Sequence, residues 1–318
     1  MMWKNLLTTM AALAAVPTAL CAQSDNAAET TSTEFVRTQD IVYGREYGTA
    51  LTMDLFEPVG KRNGAAVIWV ISGGWYSGHK SIDSEHELSP VKPLIARGYK
   101  VYAVVHRSNP MFSIEDAVAD VTRATRVIRQ REDADKQTST PIGIMGASAG
   151  GHLSLMMATT GDDGNPAAKD PVERAASRVQ AAACYFPPTD FLNYGETNVD
   201  AYETSLIVFF QAPFEFKQYN DKSKTVDMIT DRARLREILA EVSPITHVTP
   251  DDAPGLIIHG TADVLVPHQQ AEVFEQKMKE AGAEVEVIIK DGLGHGWPGL
   301  VKDNETLYDW LDKHLLEK

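Results

Sequence analysis

Apolar and polar positions follow two rhythms along this chain, and the rhythms take turns. Runs that are almost wholly apolar occur at residues 65–71, 101–105, 142–145, 179–186 and 255–259, the pattern of strands buried on both faces, and residues 285–290 read as a further strand. Two earlier segments, 41–43 and 50–56, read as further strands. Between the runs the spacing turns to three and four. Ile114, Ala117, Val118, Val121, Ala124 and Ile128 share one helical face with arginines on the other, as an amphipathic helix requires. Ala271, Phe274, Met278 and Ala281 repeat that pattern, Leu307, Leu311 and Leu315 give a closing helix, and another helix ends near Gly98. Apolar strands alternating with amphipathic helices predict an α/β fold, a mostly parallel central sheet with helices on both faces. Such sheets bind ligands at the carboxyl ends of their strands.

One segment breaks the alternation. Residues 187–253 separate two strands by far more than a crossover needs, and they hold Phe191, Tyr194, Tyr202, Phe209, Phe210, Phe214, Phe216 and Tyr219. A long insertion in a compact domain is typically a lid, a binding element or a disordered stretch, and so many rings disfavour disorder. The expectation is a lid-like insertion, some rings packing it onto the body and some lining a pocket.

Charge narrows the partners. Asp and Glu number 44 against 30 Lys and Arg, a formal charge of −14, which argues against nucleic acid or an anionic membrane, both of which need a positive surface. At 318 residues an α/β chain fits one domain, here expected over residues 35–318. Residues 1–22 read as an export signal, with Lys4 followed by a mostly apolar stretch from Leu6 to Leu20 too short to span a membrane stably. Cleavage after Ala22 gives a periplasmic or secreted protein; Cys21 offers a lipoprotein alternative, although Leu20 is bulky for that signal. Residues 23–34 read as a flexible polar lead-in. Only Cys21 and Cys184 are present, so no disulfide framework is expected, and Cys184 reads as a small core residue.

The chemistry gathers where apolar runs end. Gly146-Ala147-Ser148-Ala149-Gly150-Gly151 follows one such run and precedes a helical pattern in Leu153, Leu155, Met156 and Met157. A serine between glycines at a strand-to-helix turn is a nucleophile elbow. A serine hydroxyl needs a general base, in most sites a histidine held by a carboxylate. In the order Ser, acid, His, Asp263 follows the strand 255–259 and His295 lies in a glycine-flanked loop after the strand 285–290. Each has a plainer reading alone, as a turn former or a loop residue. Asp291 is a rival carboxylate beside His295 in sequence, here expected to shape the loop; His259 is expected to be structural, and His152 to brace the elbow locally. A tetrahedral intermediate also needs preorganised donors. The Ala149 N–H is one candidate, and the loop Ile71-Ser72-Gly73-Gly74-Trp75 offers Gly73 and Gly74. Trp75 and Tyr76 are tentative pocket walls. No metal or other cofactor is expected, because no His, Cys or Asp cluster has ligand spacing.

From about residue 41 onward the chain resembles an α/β-hydrolase of the esterase/lipase type, similar to exported bacterial esterases with a Ser-Ala-Gly-Gly-His elbow, here Ser148 to His152. The matching segments are Gly73-Gly74-Trp75, Gly98 to Val101, Gly146 to His152, His259 to Asp263 with Val266-Pro267, and Gly294-His295-Gly296. The resemblance implies Ser148 as nucleophile, Asp263 as orienting acid and His295 as base. It extends to carbohydrate and feruloyl esterases, implying a serine carboxylic ester hydrolase that takes acetyl or feruloyl esters, and it shares motifs with prolyl-oligopeptidase-type peptidases. A peptidase or amidase, or a silent hydrolase fold used for binding, are the competing expectations. In one respect the chain departs: Ile71-Ser72 stand where the usual His-Gly-Gly-Gly-Trp loop begins, so the histidine that often braces this loop is absent.

Overall fold

The structure, a computed structural model, describes residues 34–134, 139–204 and 209–317. The expected export signal, its lipoprotein alternative at Cys21 and the lead-in through residue 33 lie outside the described residues. Ten strands are described: β1 (Phe35–Glu46), β2 (Thr49–Pro58), β3 (Ala66–Ile71), β4 (Lys100–Val105), β5 (Ile142–Ala147), β6 (Ala181–Tyr185), β7 (Lys217–Asn220), β8 (Thr225–Met228), β9 (Gly255–Gly260) and β10 (Val285–Lys290). Seven α-helices accompany them: α1 (His79–Ile82), α2 (Glu85–Ala96), α3 (Ile114–Asp133), α4 (Ala149–Thr160), α5 (Arg232–Glu241), α6 (Gln269–Ala281) and α7 (Leu300–Leu316).

Eight strands form one sheet in the order β1-β2-β4-β3-β5-β6-β9-β10. The β1–β2 and β2–β4 pairs are antiparallel, and every pair from β4 across to β10 is parallel. This is the α/β-hydrolase fold, and the mostly parallel sheet is the one the apolar runs predict.

The continuous apolar runs have a direct cause. All six residues of β3 are buried, and they alternate between two cores, as a two-residue period dictates. Ala66, Ile68 and Val70 pack with α3, α4, α5 and α6. Val67, Trp69 and Ile71 pack with α2 and α7. The helices start where polar residues can take their free N–H groups: Ser84 Oγ accepts from Glu87 N–H at 3.2 Å, and Asp231 accepts from Arg234 N–H at 2.9 Å. Helix α6 stops at Gly282, which takes a left-handed conformation with φ 83°.

The insertion is built in pieces. Phe191, Tyr194, Phe214 and Phe216 are buried in the core on the α3–α6 face, so four of its eight rings anchor it to the body. Its two-stranded ribbon, β7 with β8, has no signature in the sequence, because its residues are almost all exposed or half-exposed and carry no one-sided apolar pattern.

Past β4 the chain is clamped to α3 by a buried ion pair. The Asp120 carboxylate accepts from the Arg107 backbone N–H at 2.8 Å and from its guanidinium at 2.8 and 3.0 Å. Burial pushes the Asp120 carboxyl above its usual value even with the guanidinium beside it. A pair of this kind adds little net stability over an apolar replacement, yet removing one partner strands the other charge. Asp120→Ala is therefore expected to cost about 3–5 kcal/mol, read as the shift in urea unfolding, with Asp120→Asn less damaging.

Candidate active site

Ser148 occupies the single residue between β5 and α4, at φ 54° and ψ −120°. Side chains rarely take that conformation, which costs on the order of 1–3 kcal/mol and persists only where neighbours enforce it. They do so here. Ser148 N–H donates to the Tyr185 carbonyl of β6 at 2.9 Å, and its own carbonyl accepts from His152 N–H at 2.9 Å. The elbow also needs bare backbone around it. A Cβ on Gly146 would lie 2.4 Å from the Gly150 carbonyl carbon, and one on Gly150 would lie 2.8 Å from the Val70 oxygen.

Three strand ends bring Ser148, Asp263 and His295 together. His295 Nε2 lies 2.9 Å from Ser148 Oγ, and its Nδ1 lies 2.7 Å from Asp263 Oδ2. The other Asp263 oxygen accepts from the Leu265 and Val266 N–H groups, both at 2.9 Å. Burial opposes the Asp263 charge, but hydrogen bonds from His259 and His295, with the attraction of the His295 ring, hold the carboxyl well below the usual range. His259 is fully buried, bonds the Val266 carbonyl through Nε2 at 2.9 Å and passes 3.3 Å from Asp263, so it supports the carboxylate from below. Asp291 instead accepts from Thr261 Oγ1 at 3.1 Å, tying the two loops together.

Sequence reasoning missed Phe186. Its ring lies against the His295 imidazole, centroids 4.3 Å apart, and its backbone has φ 35°. That conformation turns the chain sharply after β6 and sets a wall beside the imidazole. The visible signal was an aromatic at the end of an apolar run, too common to single out.

The loop expected to form the oxyanion hole treats its two glycines differently. Gly73 N–H donates to the Tyr76 carbonyl at 3.0 Å, and Tyr76 N–H donates back to the Gly73 carbonyl at 3.0 Å. Gly73 was expected to be a donor toward substrate, but its N–H is committed within the loop. The planar peptide between Gly73 and Gly74 has its carbonyl held by Tyr76, which fixes the Gly74 N–H on the opposite side. The Gly74 N–H has no protein acceptor among the described residues, nor has that of Ala149, the first residue of α4. A helix N-terminus carries unsatisfied donors and a positive dipole end.

Trp75 and Tyr76 do not wall the cavity. Trp75 is 2% exposed and packs against His152, Phe191 and Phe214, because its indole N–H donates to His152 Nδ1 at 3.1 Å. Tyr76 is exposed and is absent from the cavity lining. His152 is fully buried; its Nε2 donates to the Val242 carbonyl at 2.7 Å. Its bracing is therefore long-range, joining the elbow helix to the oxyanion loop and to the insertion.

Ser148 and His295 open on a cavity of about 630 Å³ between α2 and α7, a size ordinary for small-molecule sites. Trp69, Pro90, Tyr185, Phe186, Phe210 and Leu300 supply its apolar walls, and Glu87 and Asn304 its polar ones. Phe210 is the insertion's contribution. Its ring lies so close over Gly74 that a Cβ there would fall 2.2 Å from it. One group of possible metal ligands gathers among the described residues, Asp40, Asp54 and His79. Residues so far apart in sequence carry no ligand spacing to read. Arg37 already binds Asp54 at 2.8 Å and balances its charge.

The BD-FAE sequence family matches residues 53–278. The chain belongs to the BD-FAE family. Among curated proteins this BD-FAE chain is similar to the probable carboxylic ester hydrolase LipM of Mycobacterium tuberculosis, 28% identical over 79% of this chain and 54% of that protein. The chain thus spans about half the length of the curated relatives it matches. Among solved structures it is similar to a truncated carbohydrate esterase from gut microbiota, with TM-score 0.66, 23% identity and coverage of 86% of this chain and 96% of that one. A butyrate-bound esterase of Thermogutta terrifontis gives TM-score 0.64 at 23% identity, covering 90% of this chain and 96% of that one. At such identities the structural likeness establishes the fold.

In this BD-FAE chain the buried His152 ring is pushed down to about 4 by burial. An unfolded histidine titrates near 6.5, so between those values the unfolded chain binds the extra proton and folding loses stability as pH falls. His152→Gln is expected to unfold more easily at pH 7 yet to lose less on acidification from pH 6.5 to 4. Urea titrations of both proteins at several pH values measure the difference, about 3 kcal/mol at most for this one group.

Proposed function

We propose that the protein is a serine carboxylic ester hydrolase that works through an acyl-enzyme, with acetyl or feruloyl esters of carbohydrates as its substrate class. The observation that carries the reading is the continuous relay from Asp263 through His295 to Ser148, together with the Ala149 and Gly74 N–H groups, which have no protein acceptor among the described residues. Family membership supports the ester chemistry. The likeness to a carbohydrate esterase supports a carbohydrate ester, and that to a butyrate-bound esterase supports the acetyl arm of the proposal. Export belongs to the same proposal and rests on the N-terminal sequence.

In this mechanism His295 Nε2 takes the Ser148 hydroxyl proton as Oγ attacks the ester carbonyl. The tetrahedral oxyanion sits between the Ala149 and Gly74 N–H groups, each donor contributing on the order of 2.7–4 kcal/mol to the transition state. Asp263, ionised because its hydrogen bonds favour the charge, stabilises the imidazolium that forms. His295 then gives the proton to the leaving alcohol oxygen, and the carbon–oxygen bond breaks. Water attacks the acyl-enzyme with His295 again as base, releasing the acid and restoring Ser148.

Ser148→Ala is expected to lower kcat about 10⁶-fold on p-nitrophenyl acetate, with an unchanged circular dichroism spectrum; retained turnover would remove this nucleophile. Asp263→Asn should lose about 10⁴-fold, whereas Asp291→Asn should stay near the parent, and the reverse ranking would exchange their roles. The substrate class is tested by a panel of acetylated and feruloylated oligosaccharides, a butyryl ester and a peptide anilide. Cleavage of the anilide in preference to every ester would overturn the reading.

A further inference from the structure

The oxyanion loop lacks a histidine of its own, and another histidine reaches it from the neighbouring strand. His106 is the first residue after β4 and is 4% exposed. Its Nδ1 lies 2.6 Å from the Arg107 carbonyl, an acceptor, so Nδ1 carries the hydrogen. Its Nε2 lies 2.9 Å from Ser72 Oγ, so the serine hydroxyl donates to the ring. Burial pushes the ring's pKa down to about 4, which keeps Nε2 an acceptor at neutral pH.

His106 holds both ends of the loop. Its backbone N–H donates to Ser77 Oγ at 3.2 Å, and Ser77 Oγ in turn donates to the Ile71 carbonyl at 2.5 Å. Three residues further on, Asn109 Nδ2 donates to the Gly74 carbonyl at 3.2 Å. The segment carrying these contacts is the one that Arg107 and Asp120 clamp to α3. Ser72 lines the catalytic cavity, and it lies beside the elbow helix, since a Cβ on Gly150 would sit 3.8 Å from the Ser72 Cβ.

We infer that His106 is a positioning residue for the reaction, acting through Ser72 to hold the Gly74 N–H in register with the Ala149 N–H. The inference rests on the proposed ester hydrolysis for its kinetic consequence, but the loop brace exists whatever the substrate. In the proposed chemistry His106 touches no reacting atom. It replaces, from β4, the support that Ile71 cannot give.

The test uses the full chain with Ser72→Ala, His106→Phe, the double variant, and His106→Gln, whose amide oxygen can accept from Ser72. On p-nitrophenyl acetate each single variant is expected to lose about 10- to 100-fold in kcat with little change in KM, the scale of a misplaced catalytic group. The double variant should be no worse than the poorer single, because both changes break one link, and His106→Gln should recover part of the loss. Hydrogen exchange supplies a readout independent of activity. The Gly73 and Tyr76 amides should exchange roughly tenfold faster in Ser72→Ala, with protection elsewhere preserved. Parent-like kcat in Ser72→Ala, additive losses in the double variant, or unchanged exchange at Gly73 and Tyr76 would each overturn the inference. Should His106→Phe fail to fold, Ser72→Ala decides alone. A parent protein that cleaves no ester counts against the proposed function, while the exchange result still decides the brace.

Discussion

Two backbone N–H groups from separate chain segments must converge beside one serine oxygen, and much of the architecture around the site serves that meeting. Ala149 is placed by the elbow, and Gly74 by a loop whose Trp75 lies 77 residues before its partner His152. Neither segment can set the distance alone. One link between them is the Trp75 indole N–H on His152 Nδ1, which ties the loop to the first turn of the elbow helix. A fully buried donor and acceptor of this kind are costly to separate, because neither finds water in exchange. That is why Trp75 lies under the loop and leaves the cavity walls to other residues.

Strain is held against this frame. Ser148 and Phe186 both have positive φ, and they are adjacent in space through the Ser148 N–H bond to Tyr185. The β5 turn and the β6 turn therefore enforce each other, one presenting Ser148 and the other a ring beside His295. The insertion closes the arrangement: Val242 accepts from His152 at its outer side, while Phe210 covers Gly74. A segment that begins as a break in the strand–helix alternation ends as part of both the support and the wall of the cavity.

The fold was largely legible because the inner strands β3, β4, β5, β6 and β9 are largely buried on both faces, which leaves near-continuous apolar runs. Ser148, Asp263 and His295 were legible because the fold delivers strand ends to one edge, so position in the rhythm stood in for position in space. Gly73 against Gly74 was not legible. Both are glycines in one loop, and the choice between donor and support depends on a backbone bond to Tyr76. The long-range ties were hidden for a related reason. His152 and Trp75 are 77 residues apart, and no local pattern reports a hydrogen bond across that separation. The β7–β8 ribbon was hidden because exposure removes the pattern that betrays a strand.

Histidine makes the same point at the level of chemistry. His106, His152 and His259 are each within 4% of complete burial, and each has a ring nitrogen bonded to a backbone carbonyl. For His106 and His152 burial lowers the pKa to about 4, which suits a ring that must stay neutral and accept a hydrogen bond. His295 differs in having 21% of its side chain exposed and Asp263 at 2.7 Å on Nδ1. That carboxylate orients the ring, and Nε2 lies 2.9 Å from Ser148 Oγ at the cavity. The same side chain thus becomes a brace or a base according to what its second nitrogen meets. A carbonyl in a sealed core holds the ring as a brace, and a carboxylate beside a cavity leaves the second nitrogen turned to Ser148.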